Sequence, residues 1–267
     1  MLLIYILLGI IQGFTEPIPV SSSGHLVIFQ SLFNLDELND LNLEIFTNFG
    51  SLIAIIIIFR EDLAKLIKGF FGFIKTHDKK YKSDFRYCLL IIIGTIPAGI
   101  VGFLTKDLIE KYLSNVKFVG VALLVTALFL FLIRKLEGKK KDNQITPLDA
   151  FKVGLFQVVA LLPGISRSGA TLVGGMFSNL TKETAFKFSF MLYIPISLAT
   201  MLLGVKDTIE TGIDASMFLN YACATVAAFL VTLVSTKWFR GILLKGKLIY
   251  FVYYCLVVGM LVILFLK

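Results

Sequence analysis

The sequence predicts an all-α polytopic membrane protein with inverted-topology repeats, made of six transmembrane helices and two re-entrant helix hairpins. Three observations predict it. Of 267 residues, 57% are hydrophobic and only 16% charged, and the mean hydropathy is +0.86. Soluble domains run near a quarter charged and just under half apolar, so a soluble enzyme is excluded. Disorder is excluded too, because no long stretch is polar enough to stay unfolded. The apolar residues gather in six charge-free blocks of 15 to 22 residues, the signature of membrane-spanning helices. Finally, two shorter segments match each other at an offset of 145 residues, which is an internal repeat.

Taken in chain order, Met1–Leu35 has about 11 apolar residues, a polar turn and about ten more. Each arm, at ~1.5 Å per residue, reaches about half of a ~30 Å hydrocarbon core. The segment is therefore expected to enter and return on one side, as broken elements do where they line a protein cavity. Ile45–Phe59 is the first crossing, short at 15 residues, with Glu44 and Arg60 able to snorkel. In Arg60–Arg86, Leu63, Leu66, Ile67, Phe70, Phe71 and Ile74 recur at helical spacing among lysines, which predicts an amphipathic helix on the inner surface. Tyr87–Thr105 and the 16-residue Phe118–Ile133, flanked by Arg134, are the next crossings. Val153–Thr181 repeats the broken shape, and Phe188–Val205, Ala215–Thr236 and Leu248–Leu266 complete the six. One domain is expected, with repeat one at about 1–133, a basic cytoplasmic linker at 134–147 and repeat two at about 148–267.

Loop charge orients the chain. Arg60–Arg86 holds eight basic residues, Arg134–Lys152 six and Lys237–Lys247 four. Asn34–Glu44 holds four acids and no base, Lys106–Lys117 three bases, and Lys206–Asp214 one base against three acids. The basic set is expected in the cytoplasm and the other set outside, so the net charge of +8 reflects topology and no nucleic-acid partner is expected. Cys88, Cys223 and Cys255 lie inside apolar blocks and form neither a disulfide framework nor a metal site. Met1–Ile11 lacks a basic leader and an A-x-A site, so no cleavable signal peptide is expected.

Gly9-Ile10-Ile11-Gln12 pairs with Gly154-Leu155-Phe156-Gln157, and Val20-Ser21-Ser22-Ser23-Gly24 with Ile165-Ser166-Arg167-Ser168-Gly169. Each half then has one hairpin and three crossings, an odd number, so the halves are inverted and the hairpin tips can meet near the midplane. Glu16 is the sole charged residue in Met1–Leu35, and Arg167 the sole one in Val153–Thr181. Charge at membrane depth is costly and points to function, with a partner nearby; a purely structural Glu–Arg lock is the alternative. Gln12 and Glu16 share a helix face, and Pro17 and Pro19 end that helix. Ser21, Ser22, Ser23 and Gly24 suit an anion-binding helix start, with N-capping alone as the alternative. His25 is either a proton carrier or a packing residue. In the second tip Ser166, Arg167, Ser168, Gly169 and Thr171 offer hydroxyls, close backbone approach and a guanidinium fork suited to phosphate.

The chain resembles the undecaprenyl-diphosphate phosphatases of the bacitracin-resistance type. The resemblance covers essentially the whole length and rests on (E/Q)xxxE running into PVSS(T/S)GH, here Gln12 to His25, and on PGxSRSxxT, here Pro163 to Thr171. It implies hydrolysis of the terminal phosphate of undecaprenyl diphosphate, recycling a lipid carrier for peptidoglycan and conferring bacitracin resistance. It further implies a divalent cation (Mg²⁺ or Ca²⁺) and a site open to the outer face of the bacterial cytoplasmic membrane. It assigns catalysis to Glu16, Ser22, His25 and Arg167, and metal binding to Glu16. Substrate binding falls to Gln12, Ser21, Ser23, Ser166, Ser168 and Thr171. Gln12 stands where many members have glutamate, and Ser23 replaces the commoner threonine. A polyprenyl diphosphate and membrane lipids are the expected partners, with a homodimer as a further candidate. A transporter or flippase of a phosphate-bearing lipid or small anion is the alternative function.

Overall fold

The computed structural model describes residues 1–33, 41–113, 115–211 and 217–266. The expected outer loops Asn34–Glu44, Lys106–Lys117 and Lys206–Asp214 lie wholly or partly outside these. Among the described residues the chain is helical, with one isolated bridge between Lys140 and Leu180. Eleven α-helices occur among them: α1 Leu2–Thr15, α2 Ser22–Leu32, α3 Leu41–Ile58, α4 Arg60–Thr76, α5 Lys82–Leu113, α6 Val116–Ile133, α7 Pro147–Val159, α8 Arg167–Phe177, α9 Lys182–Thr211, α10 Phe218–Leu244 and α11 Ile249–Phe265.

Local chemistry explains where these helices start and stop. Pro17 and Pro19 stand just beyond α1, where the chain turns. Ser21 and Ser166 cap α2 and α8, each hydroxyl accepting from the amide three residues on, at Gly24 (3.2 Å) and Gly169 (3.1 Å). Pro147 opens α7 behind a capping box between Thr146 and Asp149. Burial pushes the Asp149 carboxyl up, but the Lys140 ammonium at 2.8 Å and the Thr146 groups outweigh it and hold the carboxyl below the usual range. The α4 helix carries Glu61 and Asp62 in its first turn and Lys75 in its last, and ends on His77 in the left-handed region. Its Leu66 is buried while Ile67, Phe71 and Ile74 are exposed among lysines, as an interfacial helix requires.

Within the described residues, all six expected crossings fall on helices. Four stretches are long and apolar enough to span a bilayer: Lys79–Thr105, Val116–Ile133, Lys182–Val205 and Phe218–Leu244. A fifth qualifies only if α3 and α4 count as one span across their 76° bend, and α11 has 17 residues. The structure therefore supports a membrane protein with four to five candidate spans rather than the full count of six. Leu3, Phe103, Leu104, Val234, Leu264 and Phe265 are among the apolar side chains left on the outside, as helices facing lipid tails require.

Both hairpins are seated by a close approach of backbones. A Cβ on Gly9 of α1 would lie 2.3 Å from the Ala224 carbonyl oxygen of α10, and one on Gly154 of α7 would lie 2.5 Å from the Gly94 carbonyl oxygen of α5. Small residues let helices touch where hydrophobic burial gives little drive. The α6–α11 and α3–α10 pairs close the remaining sides.

Candidate active site

The two hairpin tips meet. Gly24 faces the Gly164 backbone, Gly169 faces Pro19, and the Ser168 hydroxyl donates to the Ile18 carbonyl at 3.2 Å. Across this contact Arg167 Nη2 donates to Glu16 Oε1 at 2.5 Å, joining residues 151 apart in sequence. The Glu16 side chain is 5% exposed and that of Arg167 25%. A carboxylate so buried needs a charged partner and several hydrogen bonds to offset its desolvation, and it has them. Its Oε2 accepts from Ser22 Oγ in a short hydrogen bond and from Gln12 Nε2 at 3.0 Å. Gln12 Nε2 also donates to Asn48 Oδ1 of α3 at 2.8 Å, leaving the buried Gln12 Oε1 without a partner.

The Ser22 position depends on an unusual backbone. Ser21 has φ 69° and ψ 101°, a region costly for a residue with a side chain. This turn swings Ser22 onto Glu16 at the start of α2. Ser21 itself is occupied as cap, and its Oγ lies 3.5 Å from Ser23 Oγ.

Arg167 is held by neighbours on α9. Its Nη1 donates to Ser197 Oγ at 3.1 Å, and its guanidinium lies over the Tyr193 ring, 4.5 Å from the centroid. The Thr171 hydroxyl donates to the Arg167 carbonyl at 2.9 Å, so with its one proton spent it accepts from Ser189 Oγ at 2.5 Å. Ser166 Oγ lies 3.1 Å from Ser168 Oγ. Glu16, Arg167, Ser168, Thr171, Ser189, Phe190 and Tyr193 enclose a cavity of about 10 Å³, roughly one water's room.

The structure thus brings Gln12, Ser22 and Arg167 onto Glu16, with Ser168 and Thr171 around the same cavity. It does not bring His25 there. His25 Nδ1 is 2.7 Å from the Ser21 carbonyl oxygen, so Nδ1 carries the proton and Nε2 accepts from Tyr254 OH, also at 2.7 Å. Sequence reading missed Asn48, Ser189, Tyr193, Ser197 and Tyr254. A signal for three of them exists: Ser189, Tyr193 and Ser197 form a polar stripe at intervals of four along the largely apolar stretch Phe188–Val205. Asn48 is likewise the only amide in its apolar block.

A far larger cavity, about 1080 Å³, lies among the basic loops and the helix ends they join, lined by Asp62, Lys65, Arg86 and Lys187 among others. It contains no expected site residue. Phe59 on its wall stacks on Phe190 of the small cavity, centroids 5.7 Å apart, so one aromatic layer separates the two.

For a divalent cation, the described residues contain no group of three His, Cys, Asp or Glu side chains. The donors near Glu16 are all oxygens: its carboxylate, the unpartnered Gln12 Oε1 and Ser22 Oγ. Such a set fits a hard cation that also takes substrate oxygens, and does not fit a soft metal.

Comparison with known proteins places these residues in context. Residues 5–261 match the family described as bacitracin resistance protein BacA. The chain is 47% identical over 262 residues to undecaprenyl-diphosphatase 2 of Bacillus thuringiensis (strain Al Hakam), covering 98% of this chain and 97% of that protein. It is 45% identical to undecaprenyl-diphosphatase 1 of Bacillus licheniformis, with the same coverage. Identity is 43% with the undecaprenyl-diphosphatase of Oceanobacillus iheyensis, over 98% of this chain and 96% of that one.

Proposed function

This chain belongs to the bacitracin resistance protein BacA family, and from that premise we propose the following reading of its site. The protein is a membrane phosphatase that hydrolyses undecaprenyl diphosphate to undecaprenyl phosphate and inorganic phosphate. It thereby returns the lipid carrier to cell-wall synthesis and confers bacitracin resistance. The observation that carries the reading is the Glu16–Arg167 pair across the two tips, with Ser22 on the second carboxylate oxygen.

The Ser22 hydroxyl already points its proton at Glu16, the relation a nucleophile needs with its base. Ser22 Oγ attacks the terminal phosphorus while Glu16 takes the proton, and polyprenyl phosphate leaves. Glu16 passes that proton to the departing polyprenyl phosphate; water then attacks the phosphoserine, Glu16 taking the water's proton and returning it to Ser22 Oγ as inorganic phosphate leaves. Arg167 keeps its fork on the transferred phosphoryl group, where charge builds in the transition state. Arg167 and Ser168 also open α8, and a helix N-terminus favours a bound anion. His25, held by the Ser21 carbonyl and Tyr254 OH, stands outside this cluster, and in this reading water relays protons between the two. Glu16 with Gln12 Oε1 would hold the divalent cation. That ion, when bound, neutralises diphosphate charge and polarises the P–O bond.

The architecture in this reading has six crossings and two re-entrant hairpins, in inverted repeats of about 1–133 and 148–267. Reciprocity of contacts supports it. At the 145-residue offset Gly24 corresponds to Gly169 and Pro19 to Gly164, and Gly24 meets Gly164 while Gly169 meets Pro19. Exchange of partners of this kind is what a two-fold axis produces. In this reading the basic loops face the cytoplasm, as the positive-inside rule favours, so the large cavity lies on that side and the catalytic tips open toward the outer face of the cytoplasmic membrane.

Phosphate release from undecaprenyl diphosphate by the purified protein in detergent, with Mg²⁺ or Ca²⁺ added, is the test. Release with no gradient across any membrane is expected, and none at all would overturn the reading. A second reading, transport of a phosphate-bearing lipid, draws on the nearly closed site beside a large charged cavity. It predicts translocation in vesicles without phosphate release.

A further inference from the structure

We infer that Tyr193 is a catalytic residue, its hydroxyl donating a hydrogen bond to the phosphoryl group held by Arg167. The inference rests on the phosphatase reading and deepens it. Tyr193 lies on α9, outside both hairpins and outside both tip motifs. Its residue surface is 6% exposed, and its hydroxyl has no hydrogen-bond partner. The Ser197 hydroxyl stands beside it and accepts from Arg167 Nη1.

The other polar side chains lining the small cavity all have hydrogen-bond partners. Glu16 and Arg167 hold each other, Ser168 donates to Ile18, and Thr171 and Ser189 share a bond. Among the hydroxyls lining the cavity, Tyr193 OH alone is without a hydrogen-bond partner, so it can donate to an incoming anion beside Arg167 without giving up a bond. A buried hydroxyl left unsatisfied is costly, and native structures keep few of them without a reason. The ring adds a second constraint, because the Arg167 guanidinium rests on its face. The same side chain thus sets the plane of the fork and supplies a neutral donor at its edge. Such a donor, preorganised toward developing charge, acts most strongly in the transition state.

The test compares wild type, Tyr193→Phe and Tyr193→Leu on undecaprenyl diphosphate, with kcat expressed per folded molecule and Tm measured alongside. Tyr193→Phe keeps the ring and removes the donor. It should lower kcat by roughly 10²-fold, within the range for loss of one oxyanion donor, with KM within about threefold and Tm unchanged or higher. Tyr193→Leu should fall further, because Arg167 also loses its support. Wild-type kcat in Tyr193→Phe overturns the inference, whatever Tyr193→Leu does, since the ring alone would then matter. Wild-type protein that releases no phosphate overturns the phosphatase reading instead. Equilibrium binding of inorganic phosphate then decides on Tyr193: about tenfold weaker binding to Tyr193→Phe upholds the donor, and equal binding sinks it.

Discussion

The two hairpin tips begin alike and end chemically opposite. Each has a serine cap accepting from a glycine three residues on, at Ser21–Gly24 and Ser166–Gly169. Each first helix carries a glycine that sits on a long helix and a glutamine three residues later, Gln12 or Gln157. Yet Ser21 adopts φ 69° while Ser166 adopts −68°, and the first tip holds the carboxylate where the second holds the guanidinium. Gln12 bonds to Glu16 and Asn48, whereas both amide atoms of the buried Gln157 have no partner. The same local scaffold has been turned to two tasks, and backbone strain was accepted only where a hydroxyl had to reach Glu16.

If this contrast is functional, damage to the charged pair should dominate all other changes. Glu16→Gln should cut phosphate release by roughly 10³-fold, within the range for losing a general base, in protein that still folds. Arg167→Lys should be impaired to a similar degree, because an ammonium cannot offer the planar fork. Turnover within about threefold of wild type for either variant, a barrier change under about 1 kcal/mol, would remove that residue from the mechanism.

His25 separates the first tip from the second again, since the second has no histidine. His25→Ala should lower turnover by roughly 10²-fold, at the low end for an acid–base group, with Tm little changed. Tyr254→Phe, which keeps the stacked ring but removes the hydrogen bond to Nε2, should cost less than about tenfold. A destabilised yet fully active His25→Ala would instead make the histidine a packing residue.

The orphaned Gln157 amide predicts an effect in the opposite direction. Replacing a buried unpartnered polar group by an apolar one of similar size removes a desolvation cost. Gln157→Leu should therefore stabilise the protein by about 1 kcal/mol and leave turnover intact, while Gln12→Leu should lose activity. Equal stability losses in the two variants would erase the distinction drawn between them. The smallest effect is expected at the caps. Ser21→Gly trades a cap worth a few tenths of a kcal/mol over glycine for relief of an unfavourable φ, and should raise Tm or leave it unchanged. Ser166→Gly has no strain to relieve and should lower Tm. A drop at both positions would show that the Ser21 conformation carries no cost.

Much of this molecule was readable before any coordinates. Apolar blocks free of charge can only be lipid-facing or core helices, so the expected crossings all lie on helices. Pro17 and Pro19 foretell the end of α1, and the serine–glycine turns foretell the starts of α2 and α8, because caps and breaks act over three or four residues. The lone charges Glu16 and Arg167 could be expected to pair, since neither is tolerable alone at depth. Six crossings were expected and four to five stretches are long and apolar enough to span: α3 qualifies only together with α4, and α11 stops at 17 residues. The break between α3 and α4 falls where the apolar block gives way to the amphipathic pattern, at Phe59 and Arg60, whereas hydropathy alone does not fix how many residues each helix keeps.

What only the tertiary structure decided is which side chains touch. Gln12 could be placed on the Glu16 face from spacing, but its bond to Asn48 required α3 to pack against α1. The stripe Ser189, Tyr193 and Ser197 has a period visible in sequence, but that it lines the Arg167 cavity depends on the rotation of α9 about its own axis. His25 lies four residues beyond Ser21, yet its ring turns to Tyr254 of α11, 229 residues away. Backbone conformation is set by neighbours in the chain, through sterics, capping and the missing N–H of proline. Side-chain partnership depends on helix rotation and depth, which are fixed by contacts between segments far apart in sequence.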